Sequence, residues 1–266
     1  WNPRNVVLAG NKTARFRRDG QEKFVPYIQL FRNARVVEVP GQGKFDMYPN
    51  RDSVSYAHIY GFPDIKNILR GTLRHPGFCQ AWGALIALGL TDPDTRVNGA
   101  HFTTYRDLLL AFLPAGKERV REKIIHYACL SDADIVEQIL WLFDDTPIPK
   151  RKTTVADLLE NLILQKWGLK ENDKDLVVMQ HEIDYELGEV KMRSQSSMSM
   201  MGENKNNTAM ANLVGLPLGI CARYLLQEKI RLTGVRRPVD SEVYVPVLQE
   251  LENYGVLFTE KAISLA

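Results

Sequence analysis

Five apolar segments with helical spacing follow one another from Phe78 to Trp167, while the stretches on both sides alternate in the manner of strands. The five cover 78–90, 104–113, 117–129, 134–143 and 154–167, and Gly, Pro or a short polar turn separates each from the next. Ser131 opens the fourth in a Ser-x-x-Asp arrangement, Thr154 caps the fifth, and Gly168 follows it as a C′ residue. The order, strand-rich, then helical, then strand-rich, predicts an α+β class: a mixed β-sheet domain with an all-α inserted domain. The simplest assembly joins residues 1–83 and 173–266 into one discontinuous α+β domain around a helical insert over 84–172.

Within the flanks, 5–9, 24–30, 35–39 and 45–50 read as strands or extended pieces, and Asp19-Gly20 as a hairpin turn. A short helix is expected over 53–60, with 65–70 β-like again. Residues 175–187 and 189–201 read as a long hairpin across Gly188. Thr208 caps a Gly- and Ala-rich helix reaching about residue 229, which Pro217 should kink. Ser241 caps a last helix, and 256–264 close as a strand or tail.

Lys and Arg number 34 against 32 Asp and Glu, so no global field argues for nucleic acid or an anionic membrane. No apolar run is read as long enough to span a bilayer. The first residues, WNPRNVVLAG, lack a secretory pattern and an initiating Met, as if cut from something longer. Cys79, Cys129 and Cys221 are far apart and form no CxxC pair; buried thiols in a reducing, cytoplasmic setting are expected.

The stretch YPNRDSVSYAHIYGFPDIKNILRGTLRHP, 48–76, holds Arg51, Arg70 and Arg74. Guanidinium groups in turns beside Asn, Asp, Ser, Thr and Gly suit carboxylates, which they grip with two parallel N–H bonds. The simpler reading pairs these arginines with Asp52 and Asp64.

No GxGxxG follows a strand, and P-loop, GxSxG and HExxH patterns are absent from the sequence. His181 in HEIDYE alternates with its neighbouring carboxylates across a strand, a poor metal set, so no metal is expected. Met198, Met200 and Met201 read as strand packing or loop.

YPNRDS, RGTLR and GFCQAW resemble the saccharopine dehydrogenases of the NADP-dependent, glutamate-forming kind. DLVVMQHE, ANLVGLPLGICARYLLQEKI and SEVYVPVLQELENYGV are similar to later family segments and occur in the same order. The resemblance implies a central sheet domain of the glyceraldehyde-3-phosphate-dehydrogenase C-terminal type with its helical insert, without the family's N-terminal NADP domain. It implies that Arg51, Thr72, Leu73 and Arg74 contact saccharopine, with Trp1 and Asn2 bordering the cofactor. It also implies a homodimer. It assigns no catalytic residue here, because the family's hydride chemistry involves the N-terminal domain. His75 stands where the family carries Tyr, and MSMMGENKNNTAM departs from the family's entry to its VG-x-P helix. Two alternatives remain: a non-catalytic binding or dimerisation module of the same fold, and a carboxynorspermidine dehydrogenase-like enzyme.

Overall fold

The computed structural model describes residues 2–9 and 11–265, and these divide into two compact units. The first comprises residues 1–37 and 44–168, the second 38–43 and 169–266.

The first unit opens with α1 (Pro3–Val7), not the strand expected over 5–9. Asn2 accepts a hydrogen bond from the Arg4 N–H, and Pro3 sits where its missing N–H costs nothing. These start signals outweigh the β-branched Val-Val run. Strands β1 (Ala14–Arg18) and β2 (Gln21–Val25) form the expected hairpin. Asp19 and Gly20 both take positive φ, 51° and 76°, as a turn matching the strand twist requires. The extended piece expected over 24–30 is broken at Pro26, and α2 (Tyr27–Leu30) follows with a further tight turn, Phe31–Asn33.

Strands β3 (Arg35–Val39) and β4 (Gly43–Pro49) lead to α3 (Ser55–Ile59). The β-like run expected over 65–70 forms no strand apart from an isolated bridge at Ile68; β5 is Gly71–Arg74. The sheet order is β3-β4-β5, which makes β5 an edge.

Helix α4 (Phe78–Ala87) starts the helical run. A two-stranded ribbon, β6 (Arg96–Asn98) and later β7 (Lys152–Thr154), interrupts it, a feature the all-helical expectation lacked. Between them lie α5 (Tyr105–Phe112), α6 (Val120–Ala128) and α7 (Ala133–Leu142); α8 (Val155–Trp167) follows. Thr104 with Asp107, and Thr154 with Asp157, close reciprocal capping boxes on α5 and α8. Asp132, not Ser131, caps α7, and Gly168 is extended rather than left-handed.

A single core joins these helices to α1, α2 and β4. Trp82, Tyr105, Phe143 and Leu162 are among its fully buried members. Arg4 on α1 pairs with Asp157 and Glu160 on α8. For that reason most of residues 1–83 cluster with the helices, a partition that differs from the one read in the sequence.

The second unit holds β8 (Leu176–Leu187), β9 (Val190–Met201), α9 (Ala209–Leu226), α10 (Ser241–Glu252) and β10 (Thr259–Leu265). The sheet is antiparallel, in the order β10-β9-β8, and Gly188 turns the long hairpin. Thr208 caps α9 as expected, and the Asp175 carboxylate accepts two more N–H groups of its first turn. Asp240 precedes α10, whose first residue is Ser241. Met198, Ile220, Tyr224, Val247 and Leu251 form a separate core.

Helix α9 corrects one expectation. Its 18 residues, with mean hydropathy 1.4, are long and apolar enough to cross a bilayer by length and composition. Yet its last turn is fastened to α10 by polar bonds: Arg223 pairs with Glu250 at 2.6 Å, and the Tyr224 hydroxyl donates to the same carboxylate.

Candidate functional site: an arginine cluster at the β4–β5 edge

Antiparallel pairing of β4 with β5 sets Asp46 opposite Arg74, Met47 opposite Leu73, Tyr48 opposite Thr72 and Pro49 opposite Gly71. Side chains alternate along a strand, so Thr72 and Arg74 share one face and Leu73 takes the other, with buried Met47 across from it. As the edge strand, β5 leaves alternate backbone N–H and C=O groups without a sheet partner. The expected Thr72, Leu73 and Arg74 therefore stand on one short element, and Leu73 offers backbone groups rather than a polar side chain.

Arg51 lies just past the end of β4. Its backbone takes φ 34°, rare for a residue with a side chain. The conformation is held from both sides: the Arg15 N–H donates to the Arg51 carbonyl at 2.7 Å, and the Ser53 N–H donates to the Arg15 carbonyl at 2.7 Å. The Arg51 side chain projects to solvent.

The nearby acids are engaged elsewhere. Asp46, across from Arg74, accepts the N–H groups of Gly77 and Cys79 at 3.0 and 3.2 Å and so fastens the start of α4. Gly77 fits there because its φ is +88°. Asp52 accepts from the Val54 and Ser55 N–H groups at the start of α3, and its cationic neighbour is Arg15 at 3.8 Å. Desolvation pushes the Asp52 carboxyl up, but these hydrogen bonds outweigh it and hold it below the usual carboxylate range. Among the described residues, Arg51, Arg70 and Arg74 form no ion pair with any carboxylate. The simpler expectation, pairing with Asp52 or Asp64, is not met.

Arg74 carries the clearest signature. It is half-buried, its Nε is buried without a hydrogen-bond acceptor, and its guanidinium lies 5.1 Å from the Phe78 ring. Phe78 is itself stacked on Trp82 at 5.2 Å. A desolvated N–H without a partner destabilises a fold by about 1–3 kcal/mol. Cys79 beside it is no nucleophile: burial first, and the Asp46 charge second, push its thiol up to about 12. Among the other cysteines Cys129 is exposed, against the expectation of buried thiols.

The remaining expected residues are not brought to this edge. Asn2 is exposed and its amide oxygen is committed to capping α1; Trp1 lies outside the described residues. His75 sits on the strand's exit with its ring 5.7 Å from Phe45. His181 and its neighbours gather no metal set among the described residues, since Glu182 and Asp184 turn to Arg193. A separate groove of about 320 Å³, lined by Arg32, Arg35, Asp46, Cys79 and Cys129 among others, includes none of Arg51, Thr72, Leu73 or Arg74. Sequence reading missed the roles of Asp46 and Arg15. The partners of Asp46 lie 31 and 33 residues away, beyond any local pattern, while Arg15 is held by Glu22 across the expected hairpin and by the more distant Arg51 and Ser53.

The edge strand β5 thus sets the unpaired Arg74 side chain beside the Thr72 hydroxyl, with Arg51 past the end of β4. The chain belongs to the saccharopine dehydrogenase C-terminal domain family, whose model matches residues 1–256. It is 31% identical over 286 residues to an alpha-aminoadipic semialdehyde synthase of Arabidopsis thaliana, covering 98% of this chain and 27% of that protein. It is 28% identical to the NADP(+), L-glutamate-forming saccharopine dehydrogenase of Saccharomyces cerevisiae, covering 99% of this chain and 61% of that one. The structure of apo histidine-tagged saccharopine dehydrogenase (L-Glu forming) from S. cerevisiae superposes with a TM-score of 0.87 at 26% identity, covering 99% of this chain and 61% of the other. The chain thus spans less than two thirds of each of these relatives.

Proposed function

We propose that this chain is the substrate-binding portion of an NADP-dependent saccharopine dehydrogenase. The whole enzyme interconverts saccharopine with L-glutamate and 2-aminoadipate 6-semialdehyde in lysine metabolism. The observation that carries the reading is the half-buried Arg74, whose Nε is buried without an acceptor and whose guanidinium pairs with no carboxylate among the described residues, while Asp46 across from it serves α4. Saccharopine bears three carboxylates, and Arg74 with Arg51 supplies charge-assisted donors for two of them. Thr72 and the free backbone groups of the β5 edge add neutral hydrogen bonds.

The described residues do not suit the nucleotide. Asn2 is taken by its helix, and no strand–glycine turn–helix unit of the dinucleotide type is present among them. NADP binding is therefore read as the work of the family's N-terminal domain, and no catalytic residue is assigned here.

The long antiparallel sheet with α9 and α10 supports the glyceraldehyde-3-phosphate-dehydrogenase-like reading of the second unit. A homodimer is supported by the apolar side chains that this unit's strands leave exposed, Ile183, Tyr185, Leu187, Val190, Met201 and Ile263. Three free cysteines support a reducing, cytoplasmic site, and the α9–α10 polar bonds support a role away from the membrane. The test is calorimetric titration with saccharopine of the wild type and of an Arg51→Ala, Arg74→Ala double variant. Binding that vanishes in a folded double variant supports the reading. Binding that survives overturns it.

A further inference from the structure

Two assigned arginines leave one carboxylate of a tricarboxylate without a cation, and a third guanidinium, that of Arg70, stands one residue before β5. The Asn50 N–H donates to the Arg70 carbonyl at 2.8 Å, which continues the β4–β5 ladder one residue beyond Pro49 and Gly71. Period-two alternation then sets Arg70, Thr72 and Arg74 on one face, cation, hydroxyl, cation. The outer Cα atoms are about 13 Å apart at the usual rise of a strand.

Arg70 is also held ready. Its backbone N–H donates to the buried Ser53 hydroxyl at 2.9 Å, and its guanidinium lies 3.8 Å from the centre of the Tyr56 ring. A planar cation laid on an aromatic face keeps its N–H groups in the plane, free for an acceptor. No carboxylate among the described residues takes them. The half-buried position and the stack limit the rotamers that binding would otherwise have to freeze.

We infer that Arg70, oriented by Tyr56, is a specificity-determining residue that binds the third carboxylate and selects a tricarboxylate over ligands with fewer acids. This rests on the saccharopine reading of the β4–β5 edge and adds to it the residue that would distinguish saccharopine from carboxynorspermidine.

The experiment titrates saccharopine, and three analogues each with one carboxylate replaced by the primary amide, into wild type, Arg70→Gln, Tyr56→Leu and Arg74→Ala. Circular dichroism establishes that each is folded. Arg70→Gln is expected to weaken saccharopine about 10- to 100-fold, the range of one charged hydrogen-bond pair. One amide analogue should bind wild type and Arg70→Gln equally, since it lacks the group that Arg70 holds. Tyr56→Leu should weaken saccharopine by less, about 3-fold. Arg70→Gln binding saccharopine as tightly as wild type, while Arg74→Ala has lost it, overturns this inference alone. An equal loss for saccharopine and all three amides marks a structural effect and also overturns it. No saccharopine binding by folded wild type overturns the site reading and this inference together.

Discussion

Arg4 and Arg74 are both half-buried arginines of one compact unit, and the fold treats them in opposite ways. Arg4 reaches Asp157 at 2.6 Å and Glu160 at 3.2 Å, and so ties the first helix to α8. Arg74 has an acid directly across the ladder, yet Asp46 turns to backbone N–H groups, and one guanidinium N–H stays buried and unmatched. Arg193 in the second unit repeats the first pattern, with Asp184 on two of its nitrogens and Glu182 on the third. A structural arginine is saturated within the protein. An arginine held for a ligand is positioned but left open, and stability is lower for it.

The largest effect expected from this contrast is on binding. Arg74→Ala should weaken saccharopine by at least about 2–3 kcal/mol in a calorimetric titration, since it removes a charged donor from a desolvated position. Arg4→Ala should leave that affinity unchanged.

The stability effects run the other way. Arg4→Met should lower the unfolding free energy by about 1–3 kcal/mol, measured by urea denaturation, because it leaves two partly buried carboxylates without their cation. A destabilised Arg74→Ala with an unaffected Arg4→Met would break the contrast.

Acid should find the same joint. Desolvation raises the Asp157 carboxyl, but hydrogen bonds from Thr153, Thr154 and Arg4 outweigh it and bring it from 3.8 to about 2. A carboxyl depressed in the folded state stabilises above its unfolded pKa, near 3.9, and that contribution is lost as pH falls through about 2. The side chain is 36% exposed, so solvent screening reduces the contribution to about 1 kcal/mol. Asp157→Asn should flatten the decline in melting temperature between pH 4 and pH 2. An unchanged slope would remove Asp157 from the acid response.

Arg193→Gln is expected to have the smallest effect, about 0.5 kcal/mol by the same denaturation, because its bonds join two strands that the hairpin ladder already holds together. A loss comparable to that of Arg4→Met would show that bridging distant elements does not rank these pairs.

Much of this was legible in the sequence, for local reasons. The caps Thr154 and Thr208 and the Asp19-Gly20 turn are chemistry written within four residues, and the elements they bound formed where expected. NVVLA has the side-chain branching of a strand, but the Asn2-Pro3 start signal just before it makes the segment a helix. The capping group of α4 lies 31 residues upstream on β4, beyond any local pattern. The arginines of the site were visible as residue types and through the family resemblance. That the Arg74 Nε is buried and unmatched depends on Phe78 and on the commitments of Asp46, which only the folded chain reveals.

The central claim is that Arg74 is kept open for a ligand at the expense of stability. Thermal denaturation of Arg74→Met, with and without saccharopine, tests it most directly. Met keeps the length of the side chain and an apolar contact with Phe78 while removing the unmatched N–H. The account predicts a ligand-free melting temperature above that of wild type and no upward shift on adding saccharopine, where wild type does shift. A ligand-free variant that melts below wild type and is still stabilised by saccharopine would contradict it.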